Sequence, residues 1–202
     1  MKPKVSEWTN YELQPAFILG FHGCDAKVGE AILRGKEQHL MPSDNDYDWL
    51  GSGVYFWEGN PARALQFATE CAQGSIHSKG GITTPFVLGT IINLGHCLDL
   101  ADSSAIAQVH ESYRKLQDMM RDTNEKLPAN GKSLRARRLD CLVFNLLHTF
   151  RREKGLSPYD TVRGLFWEGE PIYPGAGVGE NNHIQICVCN PANILGYFRP
   201  IQ

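Results

Sequence analysis

The chain has 202 residues, 42% of them hydrophobic and 21% charged, and its 20 Lys+Arg against 22 Asp+Glu leave a formal net charge of -2. That composition supports a buried core, is too apolar for a disordered chain, and supplies no global positive field to draw it onto nucleic acid or an anionic membrane. The apolar runs around residues 85–92 and 142–147 fall far short of the ~20 residues that span a bilayer. Residues 1–11 are polar where a signal peptide has its apolar core. The expectation is a soluble, cytoplasmic protein with a single domain over residues 1–202 and no membrane partner.

In chain order, residues 16–22 read as a short strand and 28–34 as a short helix closed by Gly35. Residues 36–49 are polar, with Pro42 and the acidic run Asp44, Asp46 and Asp48, and read as a loop. A strand over 54–57 is followed by Gly59-Asn60-Pro61, in which Asn60 is an N-cap and Pro61 the first position of a helix over 62–71. Residues 84–94 are rich in Val, Ile, Leu and Thr and predict a strand.

A long helix is expected from Asp102 or Ser103 to about 126, with Ile106, Val109, Tyr113, Leu116 and Met120 at helical spacing. Pro128-Ala129-Asn130-Gly131 breaks it, and a second helix over 133–154 carries a stripe from Leu139 to Phe150 before Gly155. Strands follow over 162–168, 183–189 and 194–198, with a Gly/Pro-rich loop over 169–181. Strands, a helical middle and strands again indicate an α+β fold, with a helical insertion at about 102–155.

Six cysteines, at 24, 71, 97, 141, 187 and 189, form no C-x-x-C pair, and His183 beside Cys187 lacks a second ligand cluster. They read as reduced thiols of a reducing compartment, with no disulfide framework and no metal site. Cys187 and Cys189 are expected on one face of a strand.

Three segments hold candidate chemistry. His22 ends a strand beside Gly23, where a ring nitrogen meets accessible backbone; the alternative is a hydrogen-bonded structural histidine. In Trp49-Leu50-Gly51-Ser52-Gly53-Val54-Tyr55-Phe56-Trp57-Glu58, alternation puts Tyr55 and Trp57 on one strand face and Phe56 on the other, as a stacking platform or as core. Over 183–188, His183, Gln185 and Cys187 share a face, a pattern that also describes a solvated sheet face. The glycine-rich run 175–179 follows prolines and enters a strand, so it fails the context of a dinucleotide-binding loop.

In this order and spacing, His22-Gly23, Gly51-x-Gly53-Val54-Tyr55-Phe56, the helix holding Ala62-Arg63-Ala64 and the C-terminal strand-loop-strand resemble the ADP-ribosyltransferase superfamily. The resemblance is to its diphtheria-toxin and poly(ADP-ribose)-polymerase-like branch, whose signature is His, Tyr and Glu on three strands. It covers about residues 16–95 and 160–199. It implies a split antiparallel sheet holding NAD+ as substrate. His22 would hydrogen-bond the adenosine ribose, the Gly23 backbone would hold the nicotinamide carboxamide, and Tyr55 would stack on the nicotinamide ring. Gly53 and Arg63 complete the cofactor-binding set with Phe67, which with Gln66 lies nearest the family's second stacking tyrosine.

Counted back from Asn193-Ile194, the family's Glu position falls on Gln185. A carboxamide carries no charge and cannot act as a base. The resemblance therefore implies mono-ADP-ribosylation of a macromolecular acceptor, RNA, DNA or protein, rather than chain elongation. Gln185 would accept a hydrogen bond from a ribose hydroxyl. Glu180 is the first carboxylate to supply a base, ahead of Glu168, Glu170, Asp46 and Asp48. By analogy the protein is a toxin or defence effector, with an antitoxin or inhibitor protein as partner.

The alternatives are a catalytically inactive NAD/ADP-ribose-binding module and a partner-binding protein whose aromatic segment is core. Lys132, Arg135, Arg137, Arg138, Arg151, Arg152 and Lys154 read as a solvated helix face or as a phosphate-binding patch. His39, His77, His96, His110 and His148 receive no role.

Overall fold

The computed structural model describes residues 13–74, 81–131 and 136–201. In order, these form β1 (Leu13–Asp25), α1 (Ala26–Leu33), β2 (Val54–Glu58), α2 (Pro61–Ala72), β3 (Pro85–Asp99), α3 (Ser103–Thr123), α4 (Arg138–Glu153), β4 (Thr161–Phe166), β5 (His183–Val188) and β6 (Ile194–Phe198).

Short polar side chains start α1, α2 and α3. Asp25 ends β1 and caps α1 by accepting from the Lys27 N–H at 3.0 Å. Its other oxygen accepts from the Thr83 and Thr84 N–H groups and the Thr83 hydroxyl, and these bonds, led by Thr84, hold its carboxyl well below the usual carboxylate range. Asn60 accepts from the Arg63 N–H at 3.0 Å, with Pro61 at the first helical position. Asp102 caps α3, which ends at Asn124 in the left-handed region, φ 55°, earlier than the sequence suggests. The second helix begins at Arg138, after non-helical 136–137; residues 133–135 of that expectation lie outside the described residues.

The strand order is β1-β2-β5-β4-β3-β6, and β3 also pairs with β1, so hydrogen bonding runs in a ring through five strands with β6 beside β3. The α+β class holds. The sheet is mixed rather than antiparallel throughout, because Cys97–Asp99 of β3 run parallel to Thr161–Arg163 of β4. The cause is the connection: the chain leaves β3 through α3 and α4, and a long helical crossover returns it in the same direction, as a short hairpin cannot.

Pairing of β1 with β3 extends from Leu13↔His96 to Asp25↔Pro85, whereas β1 meets β2 only at Gly20↔Glu58 and Phe21↔Trp57. Val54 and Phe56 of β2 pack on one side of the sheet with Cys24, Leu88, Ile92, Ile186 and Val188. On the other side, Cys187, Val162 and Leu98 pack beneath Ala105 of α3 and Phe144 and Leu147 of α4. Each such fully buried aliphatic or aromatic side chain contributes about 1.5–3 kcal/mol through the apolar surface removed from water. The helix α2 lies against β1 because Gly23 has no side chain; a Cβ there would stand 2.2 Å from the Ala64 carbonyl oxygen. Among the described residues, no helix is long and apolar enough to cross a membrane.

Candidate functional site

The ladder between β1 and β2 stops after Phe21↔Trp57, and His22 lies where the strands part. Its Nδ1 donates to the Tyr55 carbonyl oxygen at 2.8 Å, so the imidazole takes the place of a backbone donor at the opening. A carbonyl only accepts, which puts the proton on Nδ1 and leaves Nε2 an acceptor. Burial pushes the His22 pKa below its ordinary value and keeps the partly buried ring neutral. The ring stands edge-on to Phe56, with centroids 5.9 Å apart.

Across β2 and β5, Tyr55 pairs with Cys187 and Trp57 with Gln185. All four side chains therefore share one face, with Tyr55 and Gln185 diagonal neighbours on adjacent strands. The turn Trp49-Leu50-Gly51 holds both. The Tyr55 hydroxyl donates to the Gly51 carbonyl at 2.7 Å and accepts from the Leu50 N–H at 3.0 Å, while the Trp49 Nε1–H donates to Gln185 Oε1 at 2.5 Å.

Glycines make this arrangement possible. Gly164 faces Gln185 across β4 and β5, and a Cβ there would stand 2.7 Å from the Trp49 indole. Gly51, at φ 85°, has Asn145 of α4 against it, and Asn145 also accepts from the Ser52 N–H at 2.9 Å. At Gly53 a Cβ would stand 2.5 Å from the Cys187 sulfur, so the glycines of Gly51-x-Gly53 are explained by close packing. Burial, followed by the Cys187 and Asp48 charges, raises the Tyr55 hydroxyl well above its ordinary pKa.

The face is covered, contrary to the solvated-sheet alternative. A row of rings runs along it, from Phe67 to Trp57 (5.1 Å), His183 (6.0 Å), Phe166 (5.3 Å) and Trp49 (5.0 Å). Arg63, only 6% exposed, binds Glu168 through Nε and Nη2 at 2.7–3.1 Å and lies 5.7 Å from the Trp57 ring centre. His183 Nδ1 donates to the Asn181 carbonyl at 2.7 Å, and burial lowers the His183 pKa. Within this cluster Trp57 Nε1, Arg63 Nη1 and His183 Nε2 are buried with no hydrogen-bond partner among the described residues. Such groups cost about 1–3 kcal/mol each.

The expected residues are therefore distributed as follows. His22 bonds the Tyr55 backbone carbonyl with its ring against Phe56, whereas the Tyr55 and Gln185 side chains share the other face and Gly53 packs against Cys187. Gly23, Arg63 and Phe67 belong to the packing between α2 and the sheet. Glu180 is exposed on its loop and accepts from the Glu170 N–H at 3.4 Å. Of the other carboxylates, Glu168 is bound to Arg63, Asp46 to Arg138, and Asp48 accepts from the Ser43 hydroxyl at 2.5 Å.

The arginines are also occupied. Arg137 lies over Trp49 and Phe166, at 5.9 and 5.1 Å, and pairs with Asp140, while Arg138 and Arg152 stand near opposite ends of α4. Lys132, Arg135 and His77 lie outside the described residues.

Trp49 opens the aromatic segment picked out from the sequence and Arg137 belongs to its basic group, but the contact of Trp49 with Gln185 and the stacking of Arg137 on Trp49 and Phe166 were not foreseen. Arg163 of β4 was not singled out; it binds Glu58 of β2 at 2.6 and 3.0 Å and Asp99 of β3 at 2.9 Å, tying three strands together on the opposite face. Among the described residues, no group of three or more His, Cys, Asp or Glu is arranged to hold a metal ion.

No family model and no solved structure matches the chain. It is similar to an uncharacterized protein of Methanocaldococcus jannaschii, with 47% identity over 38 residues, 19% of this chain and 17% of that protein. The match thus spans less than a fifth of the relative's length.

Proposed function

We propose that this chain transfers a single ADP-ribosyl group from NAD+ to a macromolecular acceptor, nucleic acid or protein. The observation that carries the reading is the link from His22 to the Tyr55 carbonyl where β1 and β2 part, with Gln185 diagonal to Tyr55 on β5. The residues suit NAD+ as a substrate. A neutral His22 with Nε2 as acceptor fits a ribose hydroxyl that donates. The Tyr55 ring, fixed by two hydrogen bonds to its own loop, offers an aromatic face to the nicotinamide cation.

The Trp49 N–H takes one lone pair of Gln185 Oε1, so the second lone pair and the Nε2–H2 donors of Gln185 are available to the ribose. Cleavage of the nicotinamide–ribose bond sends its electron pair to the nicotinamide nitrogen and leaves an oxocarbenium-like carbon for the acceptor to attack. A carboxylate here would stabilise that positive charge; the carboxamide gives up a few kcal/mol of this stabilisation and orients the ribose only. Glu168 and Asp46 are neutralised by arginines, and the exposed Glu180 is the carboxylate that takes the acceptor proton. Arg63 and Phe67 support Trp57 from behind.

The uncharged Gln185 also favours a second reading, a module that binds NAD+ or ADP-ribose without chemistry. Labelled NAD+ offered with total RNA, DNA and lysate protein distinguishes the two. Transfer of label to one acceptor class, lost in Gln185→Ala and reduced in Glu180→Gln, supports transfer. NAD+ binding with neither label transfer nor nicotinamide release supports the binding module.

A further inference from the structure

Beyond this site, the six cysteines are not equivalent. None is in a disulfide, and five are buried; Cys189, just past the end of β5, is the one that is partly exposed. Its backbone N–H is held by the Asp160 carbonyl at 2.8 Å. Its sulfur lies 3.9 Å from Nε2 of His148 on α4. His148 is itself buried and stands edge-on against Tyr159, with centroids 6.1 Å apart, so its ring is fixed beside the sulfur. The Cys189 sulfur also stands 3.9 Å from the backbone carbonyl oxygen of Cys187, whose own side chain is fully buried near the end of β5.

These surroundings act on the thiols in opposite directions. Burial pushes Cys24 and Cys97 up to about 11 and raises Cys141 and Cys187. Cys189 is lowered to about 6, through the Cys187 thiol first and then His148, against the opposing effects of burial and the Asp160 carboxylate. The thiolate is the reactive form of cysteine.

We propose that Cys189, paired with His148, is a covalent modification site for small disulfides and soft electrophiles. The Cys189 proton passes to His148 Nε2. The sulfur then attacks one sulfur of a low-molecular-weight disulfide, an S–S bond forms to Cys189, and the original S–S bond breaks. The departing thiolate takes up the proton, so one small thiol is released for each mixed disulfide formed. With a haloacetamide the same sulfur displaces halide from carbon. Cys187 and the other buried thiols lack the access for either step.

The test uses the intact chain with oxidised glutathione and, separately, iodoacetamide, read by intact mass and peptide mapping between pH 5 and 9. The expected result is one adduct, on Cys189, absent in Cys189→Ser, with a rate that levels off above about pH 6–7. In His148→Gln the rate at pH 7 falls roughly tenfold and the midpoint moves toward that of an ordinary thiol. Should that variant fold poorly, the wild-type profile decides alone. First modification elsewhere, no adduct on the folded chain, or a wild-type midpoint above about 8 overturns the proposal.

Discussion

The Trp49 indole N–H donates to Oε1 of Gln185, a residue 136 positions later in the chain, and so fixes the orientation of that amide. Removing the acceptor strands the N–H of a partly buried indole. Gln185→Leu is expected to cost about 1–2 kcal/mol in urea denaturation, whereas Gln185→Glu, which keeps an acceptor, stays within about 1 kcal/mol of wild type. The Trp49 indole proton resonance should shift in the first variant and stay hydrogen-bonded in the second.

The Arg63–Glu168 pair is buried on both sides, with side chains 7% and 12% exposed. Breaking it from one side leaves an uncompensated charge under Trp57. Arg63→Met or Glu168→Leu alone should each lose about 3–5 kcal/mol, and the double variant should recover much of that loss. A loss in the double variant equal to the sum of the two single losses would show that the pair is not coupled.

Stability should depend on pH through two histidines. Both His22 and His183 have folded pKa values below the ordinary 6.5, so as pH falls past about 6.5 the unfolded chain binds protons that the folded chain refuses. Protons bound preferentially by the unfolded state destabilise the fold, and stability therefore declines from pH 7 toward each folded pKa and then levels off with respect to that group. His22→Asn should flatten part of this slope in melts taken from pH 5 to 8. An unchanged slope in that variant would assign the effect to other groups.

Much of the local structure was legible in the sequence. Asn60-Pro61 begins α2, Asp102 caps α3, and Gly35 and Gly155, at φ 67° and 69°, follow the ends of α1 and α4. The common face of Tyr55 and Trp57, and that of His183, Gln185 and Cys187, follow from the two-residue period of a strand. What the sequence did not disclose depends on the third dimension. Trp49 reaches Gln185 over Gly164, and Arg63 meets Glu168 across 105 positions. No periodicity marks either contact. The parallel pairing of β3 and β4 was hidden because strand patterning carries no direction, and the polar side of β5 is covered because rings from other segments converge on it.

Glycine substitutions separate packing from ligand approach at the Gly23 and Gly164 positions. Gly23→Ala drives a methyl group into the Ala64 carbonyl, and Gly164→Ala into the Trp49 ring. Each should cost about 1–3 kcal/mol in thermal or urea unfolding before any ligand is added. Gly164→Ala should also loosen the bond between Trp49 and Gln185, visible as a change in tryptophan emission. Wild-type stability in both variants would contradict the close approach of α2 and of the indole.

The most direct test of the proposed chemistry is nicotinamide release from NAD+ by the purified chain. The account predicts release above the spontaneous rate by the wild type, with strong loss in Tyr55→Ala and Gln185→Ala proteins that still fold. It also predicts NAD+ stabilisation in melts, about 2.7 kcal/mol at one hundred times Kd. No nicotinamide above background, together with an unmoved melting temperature at millimolar NAD+, would contradict it.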